Sequence, residues 1–192
     1  YIRFAHRKNV HIKREPEYAY YLWGLWAKVF GGIAFTMVYF YYYQGGDTTM
    51  YYHASLAMVD LAWEHPAHFV EVLLMPPSPE RLAYFTPTTG RPYGIAYYHT
   101  RNFAVVRLTS VINLFTLKSY LLTTVVLASL VYFGTWKCFR TFVGYFPALT
   151  KKMAVAFLFM PSVCFWGSAI MKDTYTFMGV CWGVHCFDEI VF

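Results

Sequence analysis

Charge is scarce in this chain. Only 14% of its 192 residues are Asp, Glu, Lys or Arg, and the 10 acids are outnumbered by 16 basic residues. An ordinary globular domain is about a quarter charged. With 58% of the sequence apolar, one small core cannot hide the apolar surface, and lipid is the better solvent. Cysteine is scarcer still, with four residues. Cys138, Cys164, Cys181 and Cys186 lie in or beside apolar stretches, with no CxxC pair and no secreted-scaffold spacing. They read as small buried thiols. A Walker loop, a dinucleotide fingerprint, a zincin helix and a nucleophile elbow are all missing, as are internal repeats and low-complexity tracts. The first apolar run carries Lys28 and lacks a small-residue cleavage site at its end, which argues against a removed leader.

Aromatic residues are abundant, with 18 Tyr, 18 Phe and 6 Trp. The chain starts at Tyr1 without Met and stops inside the apolar Ile190-Val191-Phe192, so a piece of a longer multi-span protein is expected. Residues 1–18 hold Arg3, Arg7, Lys8, Lys13 and Arg14 against Glu15 and Glu17. Such an excess beside a span marks the cytoplasmic side. A nucleic-acid-binding arm is the alternative, but so short a basic arm next to a span reads as a topology signal, and no nucleic-acid partner is expected.

Residues 19–43 predict the first span, running outward. Lys28 is near enough to its inner end to snorkel, and Tyr39-Phe40-Tyr41-Tyr42-Tyr43 closes it like an interfacial aromatic belt. Residues 119–136 predict the second span. The loop over 137–152 then holds Lys137, Arg140, Lys151 and Lys152 with no acid, so it is cytoplasmic. Residues 153–171 predict a third span through Pro161, which a membrane helix tolerates when neighbours satisfy the freed carbonyl. Residues 174–192 predict a fourth, truncated span. The expected fold is thus all-α integral membrane, with about four transmembrane helices and a cytoplasmic N-terminus.

Between the first two spans, residues 44–118 predict a long, partly helical external loop. Ala54, Leu56, Ala57, Val59, Leu61 and Ala62, then Phe69, Val70, Leu73 and Leu74, have helical periodicity, bounded by Pro66 and by Pro76-Pro77-Ser78-Pro79. Short amphipathic helices resting on the membrane fit this better than a soluble subdomain, which would have a poor independent core. Residues 102–117 hold Arg107 and Asn113 and fall short of the roughly twenty residues a span needs. They predict a helix lying in, or re-entering, the outer interface.

Two segments could carry chemistry. Gly45-Gly46-Asp47-Thr48 puts a lone carboxylate at the membrane surface, where charge is costly without a purpose. Two glycines let the backbone approach another group closely, and the carboxylate suits a general base. Equally, Asp47 or Thr48 fits the N-cap of a helix starting near Thr49. Lys172-Asp173-Thr174 heads the fourth span, where a lysine and a helix N-terminus together attract phosphate. The alternative is a cap at Asp173 or Thr174 with Lys172 as an interfacial anchor. Arg81, Arg91, Arg101 and Arg107 run against the inside bias of basic residues and suit an anionic ligand, or they pair with Glu64, Glu71, Glu80 or lipid headgroups. Among His53, His65, His68 and His99, the spacing of His65 and His68 permits metal, but no Cys or paired carboxylate completes a site. No metal ligands are assigned, and a divalent metal is the one cofactor left open.

The run from Phe159 through Pro161, Ser162, Phe165, Trp166, Gly167 and Ser168 to Lys172-Asp173 resembles a segment of bacterial polytopic glycosyltransferases of the GT-C type, in which P-S-x-x-F-W-G/S-S-G-x-x-K-D recurs near an outer membrane face. Tyr43-Gln44-Gly45-Gly46-Asp47-Thr48 is similar to the first external loop of that superfamily. Leu114 to Leu121 and Trp136 to Arg140 are similar to segments of polysaccharide-assembly membrane proteins. The resemblance implies the N-terminal part of a larger GT-C-like fold in a bacterial cytoplasmic (inner) membrane. It implies transfer of a sugar from a polyprenyl-phosphate carrier to a glycan, lipid or protein acceptor at the external face. Asp47 would serve as general base and Lys172, beside Asp173, would meet the carrier's phosphate, with Arg101 or Arg107 balancing its charge. Many relatives carry paired acids where Asp47 stands alone, and Ala169 replaces an expected Gly. The alternatives are a non-catalytic subunit of a polysaccharide assembly or export system, and a transporter or flippase. The latter should hold charges near the bilayer midplane, whereas here nearly all fall at the ends of spans.

Overall fold

The aromatic run that opens the chain folds as one long helix. In the computed structural model, which describes residues 15–191, a 3-10 turn at Pro16–Tyr20 leads into α1 (Tyr21–Met37), which widens into a π turn at Val38–Tyr42. The basic cluster Arg3, Arg7, Lys8, Lys13 and Arg14, and Phe192, lie outside the described residues. Then follow α2 (Asp47–Glu64), α3 (Pro66–Leu74), α4 (Pro79–Leu82), α5 (Gly94–Tyr98), α6 (Thr100–Phe115), α7 (Tyr120–Tyr145), α8 (Thr150–Ala154), α9 (Pro161–Phe165) and α10 (Lys172–Val191). The described residues are helical, with no strand among them.

Two helices are long and apolar enough to cross a membrane, Pro16–Tyr42 and Tyr120–Tyr145. They are antiparallel neighbours. Gly24 faces Tyr132 near one end, and Thr36 donates to Thr124 at 3.2 Å near the other. α7 outruns the expected span and turns residues 137–145 of the expected loop into helix. The reason is that Arg140 does not face water alone. It pairs with Glu15 at 2.8 Å and Glu17 at 3.6 Å, and it donates to Tyr18. α10 lies parallel to α7, with Trp182 against Gly134, Thr141 bonded to His185 and Tyr145 donating to Asp188 at 2.5 Å. It has the length of a span but falls short of the other two in apolar character.

The third expected span, residues 153–171, is not one helix. α8 continues as a π turn over Val155–Phe159 and stops at Met160, whose backbone is extended. A residue before proline is pushed to that conformation. Pro161 then begins the short α9, and residues 166–171 form turns. This broken segment is seated on α1 by glycines. A Cβ on Gly31 would stand 2.0 Å from the Cys164 carbonyl oxygen, and one on Gly32 2.9 Å from that of Ser168. Lys28 does not snorkel. It is 1% exposed, donates to the Val163 carbonyl at 2.9 Å and lies 4.9 Å from the Phe177 ring centre. The last carbonyls of a helix lack internal partners, and an ammonium at that end satisfies one of them.

The helices of residues 47–115 pack on one another. α2 packs along α6, burying Tyr51, Met58, Leu61, Phe85, Tyr97 and Phe103 in a core that continues into Leu127 and Val131 of α7 and into Ile170. Sharing a core with α7 removes the objection that so short a segment cannot bury enough apolar surface. The seam is fastened by Asn113, whose amide donates to Ser55 at 2.6 Å while its oxygen accepts from Thr116 at 3.3 Å and from Thr123. All four side chains are buried.

The glycine seat yields a direct test. Gly31→Ala should lower the thermal midpoint of the detergent-solubilised chain sharply, by the roughly 1–3 kcal/mol or more that overpacking costs. Gly183→Ala, where a Cβ meets nothing within 4 Å, should leave the midpoint unchanged or raise it slightly.

Candidate functional site

The turn between α1 and α2 is built for glycine. Gln44 has φ 51°, and Gly46 has φ 127° with ψ −172°, a combination open essentially only to glycine. A Cβ on Gly46 would also come within 3.0 Å of the Tyr39 ring. Gly46 is the N-cap of α2, and no side chain caps it. The expected cap at Asp47 or Thr48 is therefore corrected, because the helix starts at Asp47 itself. The buried Thr48 hydroxyl pairs with Tyr120 at 2.8 Å. Asp47 is left exposed in the first turn, where the helix dipole favours a carboxylate.

α10 starts at the same end of the bundle. Thr174 is buried and donates to the Trp166 carbonyl at 3.3 Å, which fixes the turn before the helix. Lys172 is half-buried, and Asp173 is exposed in the first turn. Tyr51 lies one turn on from Asp47 and on the same face of α2. Its side chain is fully buried, and its hydroxyl donates to Asn102 at 3.2 Å. Burial pushes this phenol's pKa above its ordinary value. The charge of Lys172 opposes that rise, while Asp47 and Asp173 add to it.

The expected arginines are placed differently. Arg101 is exposed in the first turn of α6, beside the Asn102 that holds Tyr51. Arg107 donates to the Met75 carbonyl and stacks 4.7 Å from the Phe103 ring centre, clamping the end of α3. Burial lowers its pKa from the ordinary value, with Tyr97 opposing. Arg81 pairs with Glu71 at 2.9 Å, and Arg91 donates to the Phe85 carbonyl. The His65 and His68 rings lie 5.3 Å apart, with His68 stacked on Tyr84. His65 sits in the joint between α2 and α3, as the N-cap of α3. Among the described residues, no three His, Cys, Asp or Glu are grouped to hold a metal.

An open cavity of about 540 Å³ adjoins the twin-glycine turn, lined by Phe40, Gln44, Thr49, Met50, His53 and Tyr93. Sequence reasoning missed Tyr51 and Tyr93. The spacing of Tyr51 from Asp47 was the available signal. No protein family, curated protein or solved structure matches the chain.

Tyr51→Phe removes one hydrogen bond and leaves the Asn102 oxygen unpaired. It should destabilise the chain by about 1 kcal/mol, measured as a lower denaturation midpoint in detergent. An unchanged midpoint would mean that the phenol does not tie α2 to α6.

Proposed function

We propose that the chain is the N-terminal part of a membrane glycosyltransferase that moves a sugar from a polyprenyl-phosphate carrier to an acceptor at the external face of a bacterial inner membrane. The observation that supports this reading best is that Asp47 heads α2 while Lys172 and Asp173 head α10, whose Tyr175 packs against the core that holds Tyr51. In the proposal α1 and α7 cross the bilayer, and the broken segment over residues 150–165 and α10 complete four crossings. The N-terminus is cytoplasmic. The Asp47 end of the bundle is then external, and the Tyr145 end faces the cytoplasm.

The chemistry is a single displacement. The Asp47 carboxylate takes the proton of the acceptor hydroxyl as that oxygen attacks the anomeric carbon, and the bond to the carrier phosphate breaks. Lys172 balances the negative charge that grows on the leaving phosphate. Arg101 is free to assist, whereas Arg107 is committed to Met75 and Phe103. The cavity beside the glycine turn, which Asp47 does not line, offers aromatic faces and polar groups one residue away at Gly46, as a sugar-bearing headgroup needs.

The buried Lys28 is the observation that fits a transporter, since charge at membrane depth marks transport paths. Its ammonium is held by the Val163 carbonyl, which favours a structural role. A non-catalytic assembly subunit would share the architecture without turnover.

Membranes containing the full-length protein, supplied with polyprenyl-phosphate-linked sugar, should show transfer. Asp47→Asn should reduce it by roughly 10²–10⁴-fold, the usual contribution of a general base, with the protein level unchanged. Full transfer by that variant would contradict the assignment, and absence of turnover in the unaltered protein would favour the subunit or transporter reading.

A further inference from the structure

The Tyr145 end of the bundle holds a second cavity, of about 590 Å³, between α7 and α10. It is polar, lined by Lys137, Arg140, Thr141, Tyr145, His185, Asp188 and Glu189 along with Gly144. Lys137 also borders a groove of about 360 Å³ on the same seam, whose other walls are Leu130, Phe133, Trp136, Met178 and Trp182. One lysine therefore joins an apolar trough to a charged chamber. Gly134 allows the trough, because a Cβ there would stand 2.8 Å from the Trp182 indole.

The charges in the chamber have an order. Arg140 is already neutralised by Glu15 and Glu17, so Lys137 is the cation still open, with no partner among the described residues. Beyond it toward the helix ends come Asp188, which accepts from Tyr145, and the exposed Glu189, likewise without a partner among the described residues. Eight residues of helix separate the levels of Lys137 and Tyr145, about 12 Å, and a lysine stem reaching toward the interface spans part of that. Along the seam the sequence of environments is apolar, then cationic, then anionic.

The geometry points to a binding site for a phospholipid whose headgroup ends in a primary ammonium, such as phosphatidylethanolamine. An acyl chain lies in the trough, the phosphate meets Lys137, and the ammonium donates to Asp188 and Glu189. A choline headgroup has no N–H to donate, and a glycerol headgroup has no cation for the acids. The site rests on α7 crossing the membrane and not on sugar transfer.

The test is native mass spectrometry of the full chain in micelles with phosphatidylethanolamine, phosphatidylcholine and phosphatidylglycerol of identical chains. Phosphatidylethanolamine should be retained about tenfold better than either rival, the value of one charge-assisted hydrogen bond. Replacing both acids (Asp188→Asn with Glu189→Gln) should erase its advantage over phosphatidylcholine, and Lys137→Gln should lower retention of all three lipids. Gly144→Phe fills the chamber at a position where a Cβ meets nothing within 4 Å, and it should expel the lipid without unfolding the chain. Equal retention of the three lipids, retention of none, or no effect of Gly144→Phe overturns the proposal. Asp47→Asn should leave the lipid readout unchanged, so failure at the other end of the bundle is distinguishable.

Discussion

The Asn113 amide is the interaction on which the arrangement of this molecule rests. Its buried nitrogen and oxygen join α2, through Ser55, to α6 and to α7, through Thr123. A buried amide that loses its partners costs on the order of 1–3 kcal/mol per orphaned group, so α2 and α6 cannot slide on α7 without penalty. That docking sets where α2 begins. Thr48 is pinned to Tyr120, and Asp47 follows from it. On the other side Thr109 pairs with Tyr175 at 2.8 Å, which ties the same helix pair to α10. The apolar core supplies the bulk of the attraction, and the polar seam selects one register.

A second constraint governs the broken segment that precedes α10. Pro161 interrupts the helix, and the cost is an end whose carbonyls need donors in an apolar setting, where each unmet group is worth several kcal/mol. Lys28 answers that need from α1, and Gly167 makes room for it, since a Cβ there would lie 3.1 Å from the ammonium. Two glycines on α1 then let the segment approach closely. The turn that follows, fixed by Thr174 on the Trp166 carbonyl, leads into the start of α10 at Lys172. A cation buried near the middle of a helix thus shapes the segment that leads into α10.

Much of this was legible in the chain itself, for identifiable reasons. The aromatic run before Gln44 and the apolar run after Ser119 are locally determined, since length and hydropathy suffice to mark a helix that can cross lipid. The role of Lys28 was hidden, because its partner is a carbonyl 135 positions away and nothing near Lys28 announces it. Tyr51 was hidden by its setting, for an aromatic residue within helical apolar periodicity looks like core. The extension of α7 to Tyr145 was masked by Lys137 and Arg140, which read as a loop until Glu15 and Glu17 are seen against Arg140. The packing of α2 on α6 depends on α7 and Ile170, which periodicity within residues 47–115 does not contain.

The claim at the centre is that two distant carboxyl- and amine-bearing helix starts form one site on one face of the membrane. Cysteines placed singly and together at positions 47 and 172, in a chain lacking its native thiols, test it with an impermeant maleimide and a short bifunctional crosslinker. The account predicts labelling of both positions from the outside of intact cells and an intramolecular crosslink in the double variant. Labelling from opposite sides, or no crosslink with both thiols reactive, contradicts it.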